Sequence, residues 1–337
     1  GQASLPGGYP VGQASLPGGY PVGQASLPGR SRADRPLCLS MGGKETLYLM
    51  VDASTVLCGV IGNPIAHSMS PAMHNAAFSA LGLNYVYLAF KVEDVAEALN
   101  GVRALGIRGL SVTIPHKVSV MDHLNYVDRT AERIGAVNTI VNEAGQLLGT
   151  NTDGLGALHA LEQVQPVDGR RILILGVGGT SRAIGFTLVS ERKPISIVLA
   201  GRKPEKTANL AREIQSSSTC PVIPSDFDPR SLVETISQAD IVINTTPIGM
   251  FPNVTESPVP DGVFDSRQVV FDAIYNPPKT RFLFQAEQAG ARIINGLPMF
   301  VHQGAEQFRL WTGMEPPVEV MEQAVRQCLR IAPGNEG

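Results

Sequence analysis

A chain of 337 residues, 43% hydrophobic and 17% charged, carries enough apolar material for two globular domains. Its 27 basic and 30 acidic side chains leave a net charge of −3, and no basic run is interleaved with aromatics, so nucleic acid is not expected as a partner. Four scattered cysteines, six histidines without paired ligand spacing and no apolar run of about 18 residues argue against disulfides, a metal site and a membrane span.

GQASLPGGYPV stands at Gly1 and again at Gly12, with a truncated copy at Gly23. So much Pro and Gly with so few large apolar residues cannot bury a core, and residues 1–54 are expected to be a disordered low-complexity leader. No basic stretch followed by an apolar run marks a secretory signal, which makes a cytoplasmic location the expectation.

From Val56 strands and helices alternate. VLCGVI (56–61) predicts a buried strand, PAMHNAAFSALG (71–82) a helix begun by Pro and stopped by Gly, and YVYLAF (85–90) a strand. A helix over 95–105, a strand over 109–113 and a helical turn from Pro115 follow. A strand over 136–142 then turns into a hairpin with 147–150. After Asp153, RRILILG, ISIVLAG, DIVINTT and VVFDAI are continuous apolar runs, the pattern of strands covered on both faces. The tail is helical, with Leu297, Phe300, Val301, Ala305, Phe308 and Trp311 on one stripe and a partner helix over 318–329. The alternation implies an α/β fold with mainly parallel sheets, in two domains with a cleft between them.

Gly176-Val177-Gly178-Gly179-Thr180-Ser181 follows a strand and opens a helix, the setting in which glycines let backbone amides cradle a pyrophosphate. Ser181 takes the place of a third glycine. The next strand ends in Leu199-Ala200-Gly201-Arg202-Lys203 with no acid to hold ribose hydroxyls, whereas Arg202, Lys203 and Lys206 suit a 2′-phosphate. NADP is the expected cofactor.

Three polar clusters lie in the first half. In GNPIAHSMSP, Ser70 before Pro71 reads as an N-cap, and Ser68 has no such duty. In SVTIPHK, Ser111 and Thr113 share a strand face, while Lys117 falls in a first helical turn, where a cation opposes the dipole. Asn138 interrupts an apolar strand, and Asp153 reads equally as the cap of a helix over 154–161 or as a catalytic carboxylate.

GNPIAHSMSP, SVTIPHK, GAVNTI, NTDGLG, GVGGTSRA, NTTPIGM, DAIYNPPKT and NGLPMFVHQGAEQF stand in the order found in shikimate dehydrogenases, and the resemblance covers about Val56 to Leu329. It implies a substrate domain over 55–152, completed by helices over 297–332 that return to it. It also implies a Rossmann-type, doubly wound NADP domain over 153–296. Lys117 matches the catalytic lysine and Asp153 its partner. Ser68, Ser70, Thr113, Asn138, Tyr275 and Gln303 match residues around the substrate. Gly176, Gly178, Gly179, Thr180, Ser181, Arg202, Lys203, Lys206, Thr245 and Gly296 are assigned to the cofactor. The glycine-loop threonine and the Gly201-Arg202-Lys203 run depart from the family's usual alanine and Asn-Arg-Thr.

The implied reaction is reversible reduction of 3-dehydroshikimate to shikimate by NADPH, with Lys117 giving the proton. A carboxylate ~4 Å away would favour its charged form by about 4 kcal/mol at an effective dielectric near 20. Rival readings are a quinate/shikimate dehydrogenase using NAD(P), and a non-catalytic nucleotide sensor on the same fold. A homodimer is compatible with the sequence, which carries no specific signal for it.

Overall fold

The computed structural model describes residues 51–329, and the tandem repeat of the leader and the tail beyond residue 329 lie outside them. At the described start, Asp52 and Ser54 are tied to Asn84, whose amide reaches Asp52 Oδ1 at 2.9 Å. Residues 51–54, expected to belong to the leader, are therefore structured.

The first half forms β1 (Val56–Gly62), α1 (Ser70–Ala80), β2 (Tyr85–Lys91), α2 (Val95–Leu105), β3 (Gly109–Val112), a short 3-10 helix (Ser119–His123), β4 (Tyr126–Val127), α3 (Arg129–Ile134), β5 (Thr139–Glu143) and β6 (Gln146–Thr150). Its strands order as β2-β1-β3-β5-β6-β4. β1 runs parallel to β2 and β3, and β4 to β6, while β5 alone runs antiparallel to its neighbours β3 and β6, so this sheet is mainly parallel with one reversed strand. The reversal is local: Ala144 and Gly145 both take positive φ, which closes a two-residue hairpin between Glu143 and Gln146. Helix ends follow their punctuation. Asp94 accepts from the Glu97 amide and Asp128 from the Ala131 amide, and Gly106 and Gly135 stop the helices in the left-handed region.

The second half adds α4 (Asp153–Glu162), β7 (Arg171–Leu175), α5 (Gly179–Glu191), β8 (Ser196–Ala200), α6 (Pro204–Gln215), β9 (Val222–Ser225), α7 (Pro229–Gln238), β10 (Ile241–Asn244), β11 (Val269–Asp272), α8 (Arg281–Gln288) and β12 (Arg292–Ile294). Its sheet is wholly parallel in the order β12-β11-β10-β7-β8-β9. Along β7, Ile172 and Ile174 enter one core while Leu173 and Leu175 enter another, so both faces are covered and the unbroken apolar run is explained. The chain winds outward from β7 through β8 to β9, then crosses back to β10. That crossing leaves a crevice at the carboxyl ends of β7 and β10.

α9 (Gly296–Thr312) and α10 (Val318–Leu329) return to the first sheet. Phe308, Trp311, Met321 and Val325 share a core with Met73, Phe78 and Tyr87. Trp311 lies on the backbone of Gly109, where any side chain would overlap its indole, and its Nε1 donates to Ile140 O at 3.0 Å. α4 packs on both α9 and α5. Two glycines permit this. A side chain at Gly154 would overlap the Thr187 hydroxyl of α5, and one at Gly156 would come within 2.6 Å of Met299 O on α9.

Candidate active site

A cavity of about 360 Å³ opens where the loops after β1, β3 and β11 meet α4 and α9. Ser68, Ser70, Thr113, Lys117, Asn138, Asp153, Tyr275 and Gln303 all line it, although they span more than half of the chain. Gly296, assigned to the cofactor from sequence, also lines this cavity, at the first turn of α9.

Lys117 Nζ donates to Asp153 Oδ2 at 2.6 Å, with the two side chains 30% and 15% exposed. Asp153 is the first residue of α4 and receives a hydrogen bond from Asn138 Nδ2 on its other oxygen, at 2.7 Å. The carboxylate thus faces an ammonium, an amide and the positive end of a helix dipole. Its contacts point into the cavity, so it does not cap the helix: Thr152 holds the N-cap position without a side-chain capping bond. Lys117 also departs from expectation. It sits in an irregular turn before the 3-10 helix, so no helix dipole opposes it.

On the loop after β1 the roles of the two serines reverse. Ser70 is the first residue of α1 and makes no capping bond, whereas Ser68 Oγ accepts from the Ser70 amide at 3.3 Å. The cause is that the helix starts one residue early, with Met69 as its N-cap. Thr113 lies just past β3, and its amide bonds Ile61 O at 3.0 Å. On the opposite wall Tyr275 stacks obliquely on Phe300, ring centroids 5.3 Å apart, and burial pushes its phenol upward from the ordinary tyrosine range. Phe300, expected on the buried stripe of α9, is only partly buried because it faces the cavity. Gln303 Nε2 reaches Phe300 O at 2.8 Å.

Sequence reasoning passed over Gln307, one helical turn beyond Gln303, and left Ser111 without a role. Both are buried and line the cavity. The available signal was a glutamine inside an apolar helical stripe.

The glycine turn stands at the carboxyl end of β7. Gly176 adopts φ +106°, a conformation L side chains rarely take, and Thr245 Oγ1 would lie 2.5 Å from a Cβ there. Gly178 is the N-cap of α5, and the space beside Gly178 and Gly179 is open. Ser181 Oγ is buried with no hydrogen-bond partner. An unpartnered hydroxyl, free backbone amides and an open approach suit a diphosphate at this helix end. Arg202 and Lys203 follow β8 and are exposed, as is Lys206 on α6, while Thr245 bonds Leu175 O at 2.7 Å. Register aligns Leu175 with Ala200 and with Asn244, so these segments meet at one end of the sheet. No group of three or more metal-ligating side chains occurs among the described residues, and none of their helices is long and apolar enough to cross a membrane.

Comparison with known proteins agrees with this architecture. A family model described as the shikimate dehydrogenase substrate binding domain matches residues 60–140, and one described as the shikimate 5′-dehydrogenase C-terminal domain matches residues 296–326. Residues 172–262 match a saccharopine dehydrogenase NADP binding domain. The shikimate dehydrogenase (NADP(+)) of Moorella thermoacetica is 47% identical over 293 residues, 85% of this chain and 98% of that protein. A crystal structure of a shikimate dehydrogenase in complex with NADP+ is similar with a TM-score of 0.79 at 43% identity, covering 85% and 99% of the two chains. The Listeria monocytogenes shikimate 5-dehydrogenase, in complex with shikimate and NAD, has a TM-score of 0.78 at 37% identity, covering 82% and 98%. At this identity over nearly the whole length of its relatives, the chain belongs to the shikimate dehydrogenase family.

Proposed function

We propose that this chain is an oxidoreductase acting on a CH–OH group, which interconverts 3-dehydroshikimate and shikimate with NADPH and NADP in the route to aromatic amino acids. The observation that carries this reading is the Lys117–Asp153 pair at 2.6 Å in a polar cavity walled by both halves of the chain.

The glycine turn with Gly176, Gly178, Gly179, Thr180 and Ser181 would hold the cofactor diphosphate. Arg202, Lys203 and Lys206 would hold the 2′-phosphate, and Thr245 and Gly296 would border the cofactor. Bound NADPH supplies the hydride. As the carbonyl carbon of 3-dehydroshikimate gains it, negative charge grows on oxygen. Lys117 Nζ–H donates a proton to that oxygen, leaving the alcohol and a neutral amine that solvent reprotonates. Asp153, held by Asn138, keeps the ammonium aimed at the cavity and stabilises its charge. Ser68 and Ser70 suit the substrate carboxylate. Thr113, Asn138 and Gln303 suit its hydroxyls, and Tyr275 closes the far wall.

On this reading residues 55–152 with 297–332 bind substrate and 153–296 bind NADP. The proposal includes a cytoplasmic setting and a homodimer, the latter read by sedimentation. The test is an oxidation assay crossing shikimate and quinate with NADP and NAD. Turnover is expected with shikimate and NADP. Preference for quinate or NAD would replace the substrate or cofactor assignment, and nucleotide binding without turnover would favour a sensor.

A further inference from the structure

Gln307 is 1% exposed, yet its amide sits between the cavity wall and three polar groups. Nε2 donates to Asn138 O at 3.2 Å and to Thr139 Oγ1 at 3.0 Å, and Oε1 accepts from Ser111 Oγ at 2.7 Å. Tyr87 OH donates to Ser111 Oγ at 2.6 Å.

The direction of every link can be deduced. A backbone N–H only donates, and that of Thr152 meets Asn138 Oδ1 at 2.8 Å, which turns Asn138 Nδ2 toward Asp153. Thr139 Oγ1, 2.7 Å from the same oxygen, must then donate to it and accept from Gln307. Gln307 is therefore oriented with Nε2 inward, as the Asn138 carbonyl independently requires. Its oxygen faces Ser111, whose hydrogen is committed to it. Longer contacts of the Thr152 hydroxyl, at 3.3 Å, leave this order unchanged. Donors thus run head to tail from Tyr87 through Ser111, Gln307, Thr139 and Asn138 to the carboxylate that pairs with Lys117. Such a chain polarises each of its members.

We propose that Gln307 is a positioning residue for the reaction: it acts through Thr139 and Ser111 to fix the orientation of Asn138 and to set which groups the cavity floor presents. The glutamine amide meets this arrangement because it carries a donor and an acceptor on one flexible side chain. A carboxylate would oppose the Asn138 carbonyl, and an apolar side chain would strand three polar groups. With its hydrogen held by Gln307 and a bond received from Tyr87, Ser111 offers the cavity a lone pair. That makes it complementary to a hydroxyl of the ligand and adverse to a carbonyl.

The inference rests on the shikimate reading, so wild-type turnover of shikimate with NADP is measured alongside; a silent wild type counts against that reading itself. Gln307→Met and the near-isosteric Thr139→Val should each lower kcat/KM for shikimate about five- to tenfold, the equivalent of one net hydrogen bond, and leave KM for NADP within about twofold. Thr139→Ser, which restores the hydroxyl, should recover most of the loss. In 15N-labelled protein without substrate, the Asn138 side-chain amide should shift in Gln307→Met and Thr139→Val but not in Thr139→Ser. Wild-type shikimate kinetics in both cutting variants, equal losses toward shikimate and NADP, failure of serine to rescue, or an unmoved Asn138 amide would each overturn the proposal.

Discussion

Lys117 and Asp153 are 36 positions apart, one in a turn after β3 and the other opening α4, and their side chains meet at 2.6 Å. No other lysine and no arginine shares the cavity lining with Lys117. Removing a positioned proton donor typically costs 10²–10⁴-fold in rate, so Lys117→Ala should lower kcat by about that factor. NADPH affinity, read by fluorescence titration, should be unchanged. Turnover close to wild type would take the lysine out of the chemistry.

Arg202 follows β8 at the end of the sheet where the glycine turn lies, exposed and able to form a bidentate pair with a phosphate. Losing a charge-assisted hydrogen bond to one is worth about 1.5–3 kcal/mol. Arg202→Ala is thus expected to raise KM for NADP about tenfold or more while altering KM for NAD little. Equal effects on both cofactors would assign Arg202 to fold rather than to the 2′-phosphate.

Gly156 lets α4 lie against α9, since a Cβ there would approach Met299 O at 2.6 Å and the Gln303 amide at 2.8 Å. Both are backbone atoms of a helix and cannot step aside. Alanine would raise helix propensity by about 1 kcal/mol, but overpacking of this kind costs about 1–3 kcal/mol. Gly156→Ala should therefore lower the urea midpoint and weaken shikimate binding, because Asp153 and Gln303 ride on the two helices. A more stable variant would show that the helices part easily.

Burial pushes the Asp272 carboxyl from its ordinary 3.8 up to about 6, against donors from Thr280, Ile274 and Asn244. Between those pH values the unfolded chain has released this proton and the folded chain still holds it, so its contribution to stability falls as pH rises from about 4 to about 6 and is level above. The loss is of order 3 kcal/mol. Urea unfolding at pH 4, 5, 6 and 7 should show the advantage of wild type over Asp272→Asn shrinking across that window. A growing advantage would mean that the three donors outweigh desolvation.

The sequence by itself determined the elements and the chemistry they carry. Short continuous apolar runs punctuated by glycine are the pattern of strands buried on both faces, as the alternation of Ile172 and Leu173 between two cores bears out. Gly176, at φ +106°, marks a turn that only glycine makes easily, and side-chain identity limits proton donation to groups such as Lys117. What the tertiary structure decided is direction and closeness. β5 entered the first sheet reversed between β3 and β6, the early start of α1 exchanged the duties of Ser68 and Ser70, and α9 carried Gln307 across to Ser111. Such outcomes depend on contacts between residues up to 196 positions apart, whose hydrogen-bond geometry local patterning does not encode. Spacing specifies which face a side chain takes, and only the packed fold specifies what waits there.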